Sequence, residues 1–115
     1  RGMLSRQWSL WRPLVRFRVD LTVIVMRYLA ELYIGDSRSL KDTRQVINSL
    51  KERIRNQFNA SVAEVDDQEL WQRSSLGVSV VSSAIQHCDQ ILSKVVNFIE
   101  ADHRVQLLDF HTEVH

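Results

Sequence analysis

At 115 residues the chain has the length of one domain, and 44% hydrophobic with 25% charged residues is the composition of a folded globular protein. Its single cysteine, Cys88, excludes an internal disulfide or a multi-cysteine metal site and favours a reducing, cytoplasmic setting. The formal charge of +1 splits unevenly: residues 1–22 carry five Arg and one Asp, a net +4, and the remainder is −3, which argues against bulk nucleic-acid affinity of the domain proper.

Residues 1–16 (RGMLSRQWSLWRPLVR) are rich in Arg and Trp, contain the only proline, Pro13, and sustain no period. Arg-rich, acid-poor segments of this kind serve as targeting or membrane-surface stretches. The simpler expectation is an extension or leader outside the domain, so that 1–22 stand apart and the domain covers 23–115. No run of about 18 apolar residues is present to cross a membrane as a helix.

From Phe17 to Ile34 the apolar residues alternate, first as Phe17, Val19, Leu21, Val23 and Val25, then as Ile24, Met26, Tyr28, Ala30, Leu32 and Ile34. Period two predicts a strand, placed at 23–34, and the change of parity predicts a bulge or a boundary near Val23–Met26. Gly35-Asp36-Ser37-Arg38 reads as a turn. Ser39 with Asp42 forms an N-terminal cap, and Leu40, Ile47, Leu50, Ile54 and Phe58 fall on one face of a helix over 40–57, with Asn59 as its stop.

A short strand is expected at 60–66, a polar connection at 66–69 and a strand at 70–82, with Leu76, Val78 and Val80 opposite Gly77, Ser79 and Val81. Ser83 with Gln86 reads as a second capping box, opening a helix over 84–101 whose apolar face includes Cys88, Ile91, Leu92, Val95 and Ile99. Residues 104–114 close the chain as a strand. This β-α-β-β-α-β order predicts an α+β, ferredoxin-like sandwich: a four-stranded antiparallel sheet with two helices on one face.

The pieces SRSLK with Arg44, SLKERIRNQFN, SVAEVD, LWQR followed by LGV, and ILSKVVNFIE resemble the YlxP-like proteins, a bacterial family of unknown function. The resemblance runs over roughly 23–114 and leaves out residues 1–22. Gly35-Asp36 stands where the family commonly has Pro-Gly, and Asp42-Thr43 where it has an acid followed by Lys. The resemblance implies a ferredoxin-like fold and no established activity. It also implies a setting near the ribosome, because the family's genes tend to lie beside those for translation initiation and ribosome maturation.

The residues offer two binding surfaces and little chemistry. On the first helix Arg44, Lys51 and Arg55 fall within about 40° of one another with Lys41 beside them, and Arg38 precedes them. Such a stripe can hold successive phosphates of RNA; it also describes a solvated helix shoulder whose long stems cover the core edge. Arg73 either joins a partner's anion or pairs with the acidic run Glu64, Asp66, Asp67 and Glu69, which itself reads as a solvated loop. Trp71 is expected to anchor that loop on the core, the alternative being an exposed interface residue.

The open face of the sheet is expected to show Arg27, Glu31, Tyr33, Gly77, Ser79, Asp109, His111 and Glu113. One aromatic and several carboxylates do not make an RNA platform. Charges of both signs allow the face to meet a second copy across a two-fold axis. Glu31, Asp109, His111 and Glu113 are also a conceivable metal-ligand set, but no local spacing signature supports one. Cys88 falls on an apolar helix face, His87 points about 100° away, and no nucleophile elbow or phosphate loop occurs. The reading is a non-enzymatic binding protein without cofactor or metal, acting near the ribosome or on structured RNA. A self-associating scaffold is the alternative, and a carboxylate-based metalloenzyme a more distant one.

Overall fold

In the computed structural model, which describes residues 23–65 and 71–115, the alternating stretch forms the central strand β1 (Ile24–Tyr33). Met26, Tyr28, Ala30 and Leu32 point into the core, while Val25, Arg27, Leu29, Glu31 and Tyr33 take the other face. The chain then turns through Ser37, whose hydroxyl lies 2.7 Å from that of Thr43 and donates to the carbonyl of Ser39 at 2.8 Å. These bonds allow two hydroxyl residues to be buried beneath the turn.

Helix α1 (Leu40–Gln57) starts where Ser39 accepts the Asp42 N–H at 3.1 Å. The Asp42 carboxylate reaches one residue further back, to the N–H of Arg38 at 3.0 Å. Thr43, Ile47, Leu50 and Ile54 form the buried stripe of α1. The helix ends when Phe58 becomes extended, with its N–H still bonded to the carbonyl of Ile54.

Strand β2 (Ser61–Glu64) and strand β3 (Arg73–Ser82) follow, then helix α2 (Ile85–Glu100) and strand β4 (Gln106–Val114). The sheet runs β2-β3-β1-β4 and is antiparallel throughout. α1 packs on β2 and β3, and α2 on β3, β1 and β4, so both helices cover the same face. The fold is therefore the expected ferredoxin-like α+β sandwich, with shorter strands and a shorter second helix than the sequence spacing predicts.

Three local expectations give way. Pairing of β1 with β3 is unbroken from Ile24↔Ser82 to Tyr33↔Arg73, so of the bulge or boundary expected near Val23–Met26 the boundary stands, at the start of β1, and the bulge does not. The irregularity falls in β4 instead: Glu31 pairs with Asp109 but Leu32 with Leu107, which leaves Leu108 without a β1 partner. The extra residue puts both Leu107 and Phe110 on the helix side despite their opposite parity. The second capping box also does not form. Ala84 occupies the cap position without a side-chain bond, one residue beyond Ser83, and the Ser82 hydroxyl accepts the Ala84 N–H at 3.2 Å.

Third, Trp71 is 51% exposed, which accords with the alternative of an exposed residue; backbone and Gln72 hold the start of β3 to the turn. The Ile34 N–H donates to the carbonyl of Gln72 at 2.7 Å, and the Gln72 amide reaches the carbonyl of Gly35 at 3.3 Å. The expectations for residues 1–22, and for Asp66, Asp67, Gln68, Glu69 and Leu70, lie outside the described residues.

Candidate functional site

Folding divides the basic stripe of α1 into two groups. Arg44 and Lys51 both turn to the Glu64 carboxylate, at 2.7 and 3.6 Å, and Arg55 donates to the carbonyl of Val62 at 2.9 Å. These three cations fasten α1 to β2, the short edge strand that the helix overlies. The arrangement follows from topology: β2 returns directly beneath the helix that precedes it, with Glu64 facing the stripe. Arg38, Lys41 and Arg73, by contrast, are exposed and make no ion pair among the described residues. The contacts of Gln72 and Ile34 set the start of β3 against the 35–39 turn. Arg38, Lys41, Arg73 and the exposed ring of Trp71 therefore share one end of the domain.

The open sheet face carries the residues the alternation assigned to it. Arg27↔Glu113, Leu29↔His111 and Glu31↔Asp109 are neighbours across β1 and β4. Arg27 bonds the Glu113 carboxylate and holds it below the usual carboxylate range, helped by His115 at 3.3 Å. Glu31 accepts the Ser75 hydroxyl at 2.9 Å. Two carboxylates of the conceivable metal set are thus engaged within the face, and among the described residues no three His, Cys, Asp or Glu side chains converge on one point.

A groove of about 480 Å³ runs across this face, lined by Arg27, Leu29, Val65, Gly77, Ser79 and His111 among others. Its floor depends on Gly77, where an added Cβ would come within 2.7 Å of a Val65 methyl. Sequence spacing could not reveal that Val65 folds across the open face, because the contact joins two strands.

The helix side of β4 was not anticipated. Phe110 packs its ring 5.8 Å from that of Tyr28 yet stays 58% exposed. A recess of about 280 Å³ separates it from α2, bounded by Met26, Tyr28, Leu92, Val96 and Thr112. A signal was present: β4 is apolar on both parities, through Leu107, Leu108, Phe110 and Val114. Cys88, as expected, is buried in the core.

A profile of the family described as a protein of unknown function, DUF503, matches residues 25–112, which is the described sheet and both helices. The chain belongs to the DUF503 family. The DUF503 chain is also 35% identical over 83 residues to the uncharacterized protein YlxP of Bacillus subtilis (strain 168), over 72% of its own length and 90% of that protein. Among solved structures it is similar to a C-terminal segment of the alpha subunit of aIF2 from Pyrococcus abyssi. That match has 6% identity and a TM-score of 0.47, and it covers 89% of this chain and 55% of that one. The DUF503 chain thus spans about half of that chain, and at this level of similarity the match carries nothing about function.

Proposed function

We propose that this chain is a non-enzymatic binding protein that takes structured RNA, of the kind a ribosome presents, at the end of the domain where the 35–39 turn meets the start of β3. The observation that carries the reading is that Arg38, Lys41 and Arg73, exposed and without an ion pair among the described residues, share one end of the domain with the half-exposed Trp71. Cations position phosphates, and an aromatic ring stacks an unpaired base. The genomic setting that the family resemblance implies accords with it. Arg44, Lys51 and Arg55 are then mainly structural, since each already holds β2.

The full chain is titrated with a labelled RNA hairpin over a range of salt. Three phosphate contacts give a slope of about −2 to −3 in log affinity against log salt. Arg38→Glu with Arg73→Glu lowers affinity at least tenfold, whereas replacing Asp66, Asp67 and Glu69 by their amides raises it. Unchanged affinity in the first variant overturns the assignment, as does a loss seen only with Arg12→Glu and Arg16→Glu. The self-associating reading draws its support from β4 rather than the open face, whose charges are largely matched among themselves.

A further inference from the structure

We infer that two copies of this chain join through β4, antiparallel about a two-fold axis at Thr112, to make one continuous eight-stranded sheet. This inference is independent of the RNA reading. Its starting point is the contrast between the two edges. β2 is four residues long and is tied to α1, while β4 is nine residues long, contains neither Lys nor Pro, and leaves Phe110 and Val114 58% and 48% exposed. Edges of that kind invite pairing.

The hydrogen-bond phase of β4 limits how a second copy can add. Val25 and His115 exchange both backbone bonds, at 3.1 and 2.7 Å. In an antiparallel ladder every second pair does so, which turns the backbone groups of Asp109, His111 and Glu113 toward β1. Those of Phe110, Thr112 and Val114 point out of the sheet. The outward N–H of Phe110 donates locally to a carboxylate of its own strand, that of Asp109, at 2.9 Å. A second β4 must match outward groups with outward groups, so the axis passes through a residue and not between two.

Side chains then choose the residue. An axis on Asp109, His111 or Glu113 sets an ionisable group against its own copy, and the His111 axis also opposes Asp109 to Glu113. An axis on Phe110 carries the pairing across the irregularity at Leu108, where the strand changes phase. The Thr112 axis uses only the regular stretch 109–115 and satisfies every pair. Thr112 meets Thr112, Phe110 meets Val114, His111 meets Glu113, and Asp109 meets His115. These are the hydroxyl and aromatic–aliphatic pairs that stabilise antiparallel strands, with each histidine facing a carboxylate that can accept its N–H. About six backbone hydrogen bonds form, and the ring of Phe110 gains cover over the recess beside α2.

Sedimentation velocity on the full chain at increasing concentration gives a dimer. Thr112→Pro removes only an outward N–H, which an edge strand tolerates, and raises the dimer dissociation constant at least tenfold. Val114→Lys does the same by placing a cation against Phe110 of the second copy. Thr112→Cys links two chains on mild oxidation, because facing Cα atoms of such a pair stand about 5.5 Å apart, within disulfide reach. His111→Cys does not link. A monomer at high concentration, a dimer indifferent to Thr112→Pro and Val114→Lys, or linkage through position 111 and not 112 would each overturn the inference.

Discussion

Tyr28 reaches its hydroxyl into the core beside Phe110, and the oxygen finds no hydrogen-bond partner among the described residues. Burial, with the charge of Glu100 adding to it, pushes its ionisation up to about 12. A buried hydroxyl left unpaired costs about 1–3 kcal/mol. Tyr28→Phe keeps the ring packing and removes that cost, so thermal unfolding of the variant is expected at higher temperature, with about 1 kcal/mol gained. A lower melting temperature would mean that the hydroxyl is in fact satisfied. The inward position of Tyr28 was legible from alternation along β1 alone. That its hydroxyl goes without a partner among the described residues was not, because the residues around it come from α2 and β4.

At the scale of elements, the chain leaving β2 can lie over the open face of β3 because Gly77 has no side chain. Val65 lies over it from the end of β2, and a Cβ there would sit 2.7 Å from the Val65 methyl. Gly77→Ala is expected to cost about 1–3 kcal/mol, the range for overpacking. Adding Val65→Ala should recover most of the loss, although Val65→Ala alone removes little because that side chain is half exposed. Denaturant unfolding of the two single variants and the double measures this coupling, and strict additivity would show that the two positions do not touch. Both helices and the strands β1 and β3 followed from periodicity, since each buries one face of its own. The Leu108 irregularity did not, because it records a demand made by β1 and the helices on a strand whose apolar residues fill both parities.

Across the whole molecule, the two β-α-β halves meet at Asp102. Its carboxylate accepts from Arg104 at 2.7 Å and lies 3.4 Å from Arg53 of α1, so a residue just beyond α2 is tied to the other helix. The bond from Arg104 holds the carboxyl below its ordinary value of 3.8, against the opposing effect of burial. A carboxyl depressed in the folded state adds stability that is complete above that ordinary value and is lost as pH falls through the folded one. Asp102→Asn is therefore expected to destabilise by about 2 kcal/mol at neutral pH, the scale of a hydrogen bond to a charged group, with the difference shrinking in acid. Melting curves from neutral to acid pH test this; a difference constant with pH would assign the effect to packing instead.

The sequence by itself determined the order of elements, the face buried by both helices and by β1 and β3, and the absence of a recognisable catalytic motif. All of these rest on short-range periodicity and on residue chemistry that needs no partner. Tertiary structure decided which charges remain available and which edge stays open. Arg44, Lys51 and Arg55 look equivalent to Arg38, Lys41 and Arg73 in one dimension, yet β2 returns beneath α1 and engages the first group. Likewise, β4 reads as an ordinary final strand until the β2-β3-β1-β4 order places it at the margin, with Phe110 and Val114 left uncovered. Charge pairing and edge exposure depend on contacts between residues far apart in the chain, and pattern within a single segment carries no record of them.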